Sequence, residues 1–115
     1  MGRPLRIGIA RLNKAIAEYS LARLEFTLQH PEQAAPPLLQ RMGASAADEP
    51  AFQNWAEMMR RIAVLQQFIE SAKGADESLA LDTAFERLTR AANHVAVLAW
   101  SMESMHRRRH GGAIG

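Results

Sequence analysis

Residues 81–102 read LDTAFERLTRAANHVAVLAWSM, and their apolar positions decide the fold class. Leu81, Phe85, Leu88, Ala92, Val95, Ala99 and Met102 alternate spacings of four and three over three heptads. On a helix that repeat makes one stripe, whereas on a strand the same residues fall on both faces, so only a helix buries them together. Asp76 or Ser78 is the expected cap at its start.

The same period recurs upstream. Trp55, Met58, Ile62, Leu65, Ile69 and Ala72 form a second stripe, preceded by Asp48-Glu49-Pro50 and followed by Lys73-Gly74. A capping acid with proline in the first turn starts a helix, and a cation with glycine ends one. Leu5, Ile9, Leu12, Ile16, Tyr19 and Phe26 form a third stripe between Pro4 and Pro31. This first helix spans ~25 residues, about 40 Å at 1.5 Å per residue. Its second half carries a further stripe, Leu21, Leu24 and Leu28, which demands a second neighbour. Residues 31–50 are long for a bare loop. Within them Pro36-Pro37 through Met42 and Gly43 read as a helix of one to two turns, with Leu38, Leu39 and Met42 as cover for the extra leucines. Ala44 to Ala47 read as loop. Nowhere do four or more residues alternate strictly with β-branched enrichment, so no strand competes.

The expected fold is all-α: an up-down-up bundle of three long helices with a short extra helix in the first connection. Residues 1–115 make one domain, with 106–115 a frayed basic tail. That topology puts Phe26, Phe52, Trp55, Trp100, Met102 and Met105 at one pole, and Arg3, Arg6, Lys73 and Asp76 at the other. It also sends the two basic chain ends to opposite poles, so that only a head-to-tail row of molecules makes the positive charge continuous.

Composition narrows function. The chain has 115 residues, 48% of them hydrophobic and 23% charged, a globular balance. It has no cysteine, which removes disulfides, thiolate metal sites and thiol nucleophiles. No apolar run is long enough to span a membrane, and Arg3, Arg6 and Arg11 interrupt any signal-peptide core, so a cytoplasmic protein without membrane contact is expected. The net charge of +2 is unevenly spread: all 12 acids lie between residues 15 and 106 against half of the 14 bases. Arg3, Arg6, Arg11 and Lys14 stand without an acid at one end, and Arg107, Arg108 and Arg109 stand together at the other. Such clusters neutralise phosphates without reading bases, so they are candidate contacts to RNA or DNA backbone; the bland reading is solubility.

Catalytic and metal layouts are sparse. No phosphate-binding glycine loop or Ser/His/Asp ordering is present. Glu103, His106 and His110 follow metal-like helical spacing, but the second Glu-x-x-His of a di-metal site is missing, so neither a metal nor another cofactor is expected. Lys14–Glu18, Glu57–Arg61 and Glu86–Arg90 are spaced for surface pairing on helices. Asn93, Ala96, Val97 and Trp100 fall outside the last stripe, either as a partner interface or as a patch roofed by Leu38, Leu39 and Met42.

Arg87 and His94, separated by six residues on one helix face, are similar to the Arg-x(4–6)-His motif of HEPN ribonucleases. That resemblance implies metal-independent RNA cleavage, with Arg87 steadying phosphate and His94 assisting proton transfer. The chain departs from the motif in having Leu88, a core residue, where the family carries a polar one. In overall form the chain resembles the small helical subunits of CRISPR effector complexes, which line up along bound nucleic acid; no motif carries this likeness. The expectation is a non-catalytic subunit of a larger assembly, packing on partner proteins or on itself and touching nucleic-acid backbone nonspecifically. A pure adaptor, chaperone or phage-type inhibitor is the alternative, and a HEPN-like nuclease the second alternative.

Overall fold

A computed structural model describes the backbone of residues 3–40 and 55–111, and the side chains of residues 8–40 and 55–105. The described residues form three helices: α1 (Arg3–Gln29), α2 (Trp55–Ala75) and α3 (Thr83–Gly111). A 3-10 turn, Glu77–Leu81, joins α2 to α3, and no strand occurs among the described residues.

Each stripe buries as its period requires. Ile9, Leu12, Ile16, Tyr19 and Phe26 of α1, Met58, Ile62, Leu65 and Ile69 of α2, and Phe85, Leu88, Ala92, Val95, Ala99 and Met102 of α3 share one core. Phe26 organises one end of it, its ring lying 5.8 Å from Phe85 and 6.4 Å, edge-on, from Phe68. Leu81 is the exception in its stripe: it ends the 3-10 turn and is 92% exposed. The cap of α3 is Asp82, whose Oδ1 accepts from the Phe85 N–H at 2.9 Å. Asp76 instead caps the 3-10 turn through the Ser78 N–H, 3.0 Å from its Oδ1. Gly74 is not the stop of α2, since no glycine among the described residues has positive φ and the helix runs one residue further.

Helix direction differs from the up-down-up expectation. The end of α1 meets the start of α3: His30 Nε2 lies 2.6 Å from Asp82 Oδ2, and Arg87 Nη1 lies 3.0 Å from Glu25 Oε2. The start of α1 meets the end of α3, where a Cβ on Gly8 would stand 3.2 Å from Met102 Sδ. So α1 and α3 are antiparallel. The short 76–82 connection makes α2 antiparallel to α3 as well, and α1 and α2 run the same way, consistent with the Phe26–Phe68 contact.

The connection after α1 makes this possible. Residues 30–40 turn back along α1 without forming a helix. Arg23 Nε donates to the Ala35 carbonyl at 2.6 Å, and Tyr19 Oη to the Pro36 carbonyl at 2.6 Å. The expected short helix is therefore not present over residues 36–40. Its proline pair acts the other way, because a residue preceding proline is pushed out of helical φ/ψ into extended backbone. Leu38 enters the main core and Leu39 packs against it, leaving Leu21, Leu24 and Leu28 uncovered. Met42, the Ala44–Ala47 loop, the Asp48-Glu49-Pro50 helix start and Phe52 lie outside the described residues.

Two consequences concern charge. Phe26, Lys73 and Asp76 share one pole, while the start of α1 and the end of α3 share the other. The backbone carrying Arg107 to Arg109 is helical through Gly111.

Candidate functional surfaces

The first candidate surface is the pole where α1 begins and α3 ends. Their antiparallel register, set by Gly8 against Met102, brings the helix segment bearing Arg3 and Arg6 beside the one bearing Arg107, Arg108 and Arg109, with Arg11 and Lys14 further along α1. The two basic runs are thus joined within a single molecule, which corrects the expectation of opposite poles and removes the need for a head-to-tail row. Side chains of residues 3–7 and 106–111 lie outside the described part, and with them those of His106 and His110. Of the seven cations, the side chains of Arg11 and Lys14 are described, and both are exposed.

The second surface is an open groove of about 800 Å³ between α1 and α3. Leu21 and Ala22 of α1 and Ala91 and Val97 of α3 make its apolar floor. Leu21 is 69% exposed and Val97 57%. Glu18 and Glu25 stand along the α1 rim; Arg87, Arg90, Asn93 and His94 stand along α3. Facing charges are level with one another. Arg87 pairs with Glu25 at 3.0 Å, and one heptad further His94 Nδ1 lies 3.8 Å from Glu18 Oε1. Of the surface pairs expected within helices, Arg61–Glu57 forms at 2.7 Å and Arg90–Glu86 at 2.6 Å, while Glu18 faces His94 across the groove. The Arg61 hydrogen bond, together with Arg60, holds the Glu57 carboxyl below its ordinary range.

The structure separates the four residues Asn93, Ala96, Val97 and Trp100. Asn93 and Val97 line the groove; Trp100, 46% exposed, is not among its lining residues. Ala96 leaves the group altogether, being buried in the core. The α1 rim, Glu18, Leu21 and Glu25, was not legible as part of a site. Its signal is the heptad spacing of Glu18 and Glu25, which matches that of Arg87 and His94 but becomes informative only once the helices are known to be antiparallel.

Arg87 and His94 do lie in one groove, as the HEPN-like spacing requires. Each is matched by an α1 carboxylate, so a phosphate arriving there meets Glu18 and Glu25 as well as the two bases. That arrangement suits paired charge across an interface better than a free anion. Among the described residues no helix is long and apolar enough to cross a membrane. No family model, curated protein or solved structure matches the chain.

Proposed function

We propose that this chain is a non-catalytic helical subunit of a larger assembly that holds a nucleic-acid backbone at its basic pole. The observation that supports this reading is the shared pole of the α1 start and the α3 end: the helix segments bearing Arg3 and Arg6 and bearing Arg107, Arg108 and Arg109 meet there, with the exposed Arg11 and Lys14 following along α1. Cations gathered at one pole act on a polyanion together where they lie within a Debye length, about 10 Å at 0.1 M salt. Among the described residues no aromatic cluster accompanies them, which favours contact to phosphates indifferent to base sequence. Protein contacts in the assembly use the α3 face bearing Asn93, Val97 and Trp100.

The test is fluorescence anisotropy with random single-stranded RNA and with duplex DNA at about 50 and 200 mM salt, a range over which phosphate-dominated binding weakens by orders of magnitude. Arg107, Arg108 and Arg109 changed to alanine, and separately Arg3 and Arg6 changed to alanine, should each weaken binding and flatten its salt dependence, because both sets serve one site. Binding insensitive to salt, or unchanged in either variant, overturns the reading. Metal-independent RNA cleavage that disappears in His94→Ala would replace it with the nuclease reading.

A further inference from the structure

The charge pattern of the α1–α3 groove points to its occupant, and we propose that it is a second copy of this chain, related by a two-fold axis running along the groove. Nucleic-acid binding plays no part in this reading. Three features of the groove, taken together, carry it.

The first is polarity across the groove. Glu18 and Glu25 make the α1 rim acidic, and Arg87 and His94 make the α3 rim basic. A copy turned about an axis along the groove lays its α1 over the α3 of its partner, so that acid meets base on both sides. A copy turned about the perpendicular in-plane axis lays α1 over α1, and acid meets acid. Only the first arrangement is complementary, and it is isologous, as a closed dimer requires.

The second feature is height. Rotation about the groove axis leaves heights along the helices unchanged. Glu25 is already level with Arg87, and Glu18 with His94, at 3.0 and 3.8 Å within one chain. Each intrachain pair therefore meets its own counterpart in the second copy, forming one layer of alternating charge from Glu25 and Arg87 and one of carboxylates facing imidazoles from Glu18 and His94. Nothing in a foreign partner forces that match. In one chain alone these pairs are solvent-screened and contribute little; across an interface they select orientation and register.

The third feature is the apolar floor. Leu21 and Val97 stand open between the rims, and Leu28 continues the exposed α1 face one heptad beyond Leu21.

Sedimentation velocity of the full chain up to about 100 µM tests this, since a contact with Kd ~1 µM is then nearly all dimer. The wild-type chain should sediment as a dimer, and Leu21→Asp and Val97→Asp as monomers. Both residues are exposed, so far-UV circular dichroism should stay unchanged in both. A chain with Glu18→Arg and Glu25→Arg, and another with Arg87→Glu and His94→Glu, should each be monomeric alone and dimerise when mixed. For orientation, a Glu18→Cys chain mixed with a His94→Cys chain should join through a short thiol crosslinker more readily than either chain with itself. A monomeric wild type, a Leu21→Asp dimer, or a mixture that fails to associate overturns the proposal. Preferential crosslinking of the Glu18→Cys chain to itself overturns the axis. Polyanion binding that persists in monomeric Leu21→Asp shows that the two sites are separate.

Discussion

Replacing Tyr19 with phenylalanine isolates the tie that turns the chain back along α1. The Tyr19 ring is fully buried, and its hydroxyl donates to the Pro36 carbonyl at 2.6 Å across 17 residues of sequence. Burial also pushes the phenol pKa upward, as expected for a hydroxyl whose ionised form has no water to solvate it. Phenylalanine keeps the ring and its packing, so no cavity term enters. What is lost is one hydrogen bond, and what remains is a carbonyl that has lost its donor. Pro36 is partly exposed, so water can replace that donor. The loss then falls near 1 kcal/mol, not the ~3 kcal/mol of a sealed orphan. With an unfolding entropy of about 2.1 cal/mol/K per residue, a chain this size should lose about 4 °C of Tm per kcal/mol. Thermal and urea unfolding followed by circular dichroism at 222 nm reads both quantities. Ser20→Ala is the control: that hydroxyl bonds only the Ile16 carbonyl of its own helix at 3.0 Å, and its removal should be nearly neutral. Arg23→Met removes the second tie, to Ala35, and its effect should not add to that of Tyr19→Phe, because both hold the same segment. A Tyr19→Phe chain with unchanged Tm, or effects that add fully, would refute the idea that these two bonds jointly fasten the returning segment.

The antiparallel register of α1 and α3 is tested at Gly8: Gly8→Leu should cost about 1–3 kcal/mol by overpacking, and Met102→Ala should recover part of that loss in a double-mutant cycle. Independent, additive effects would separate the two helix ends. Leu88→Ala, at a fully buried site, should cost about 2–5 kcal/mol in urea unfolding, while Leu81→Ala, from the same sequence stripe but outside the core, should stay within about 0.5 kcal/mol. Asp82→Ala should cost about 1 kcal/mol as a lost N-cap at neutral pH. The Phe85 N–H, followed by His30, holds the Asp82 carboxyl below its ordinary value of 3.8. Its stabilising effect is therefore present above that pH and is lost as pH falls through the lower folded value. The gap between wild type and Asp82→Ala should accordingly close on acidification below about pH 4, read from unfolding curves across pH; a gap that widens there would refute this sign.

Much of the secondary structure was legible because it depends on local period. The stripes through Leu12, Leu65 and Leu88 are buried, and the boundary at Pro31 holds, because apolar spacing and the missing proline N–H act within a few residues. Errors arose where two local signals competed. Pro36-Pro37 reads both as a helix start and as a constraint on the residues before each proline, and the extended reading prevails because Tyr19 and Arg23 bond the carbonyls of 35 and 36. Leu81 fits the period of α3 yet lies outside it, because Asp82 caps the helix one residue later with both its carboxylate and its position beside His30.

Period determines that the chain is helical and which stripe of each helix faces inward, and the positions of the basic residues determine that positive charge collects near the two chain ends. Period carries no information about direction, because an amphipathic helix presents the same stripe whichever way it runs. Direction was decided in the tertiary structure, where a returning segment tied to Tyr19 and Arg23 lets α2 run alongside α1 and leaves α3 antiparallel to both. That choice joins the two basic ends at one pole and sets Glu18 and Glu25 level with His94 and Arg87. Both candidate surfaces depend on charges brought together from distant parts of the chain, and only packing brings them together.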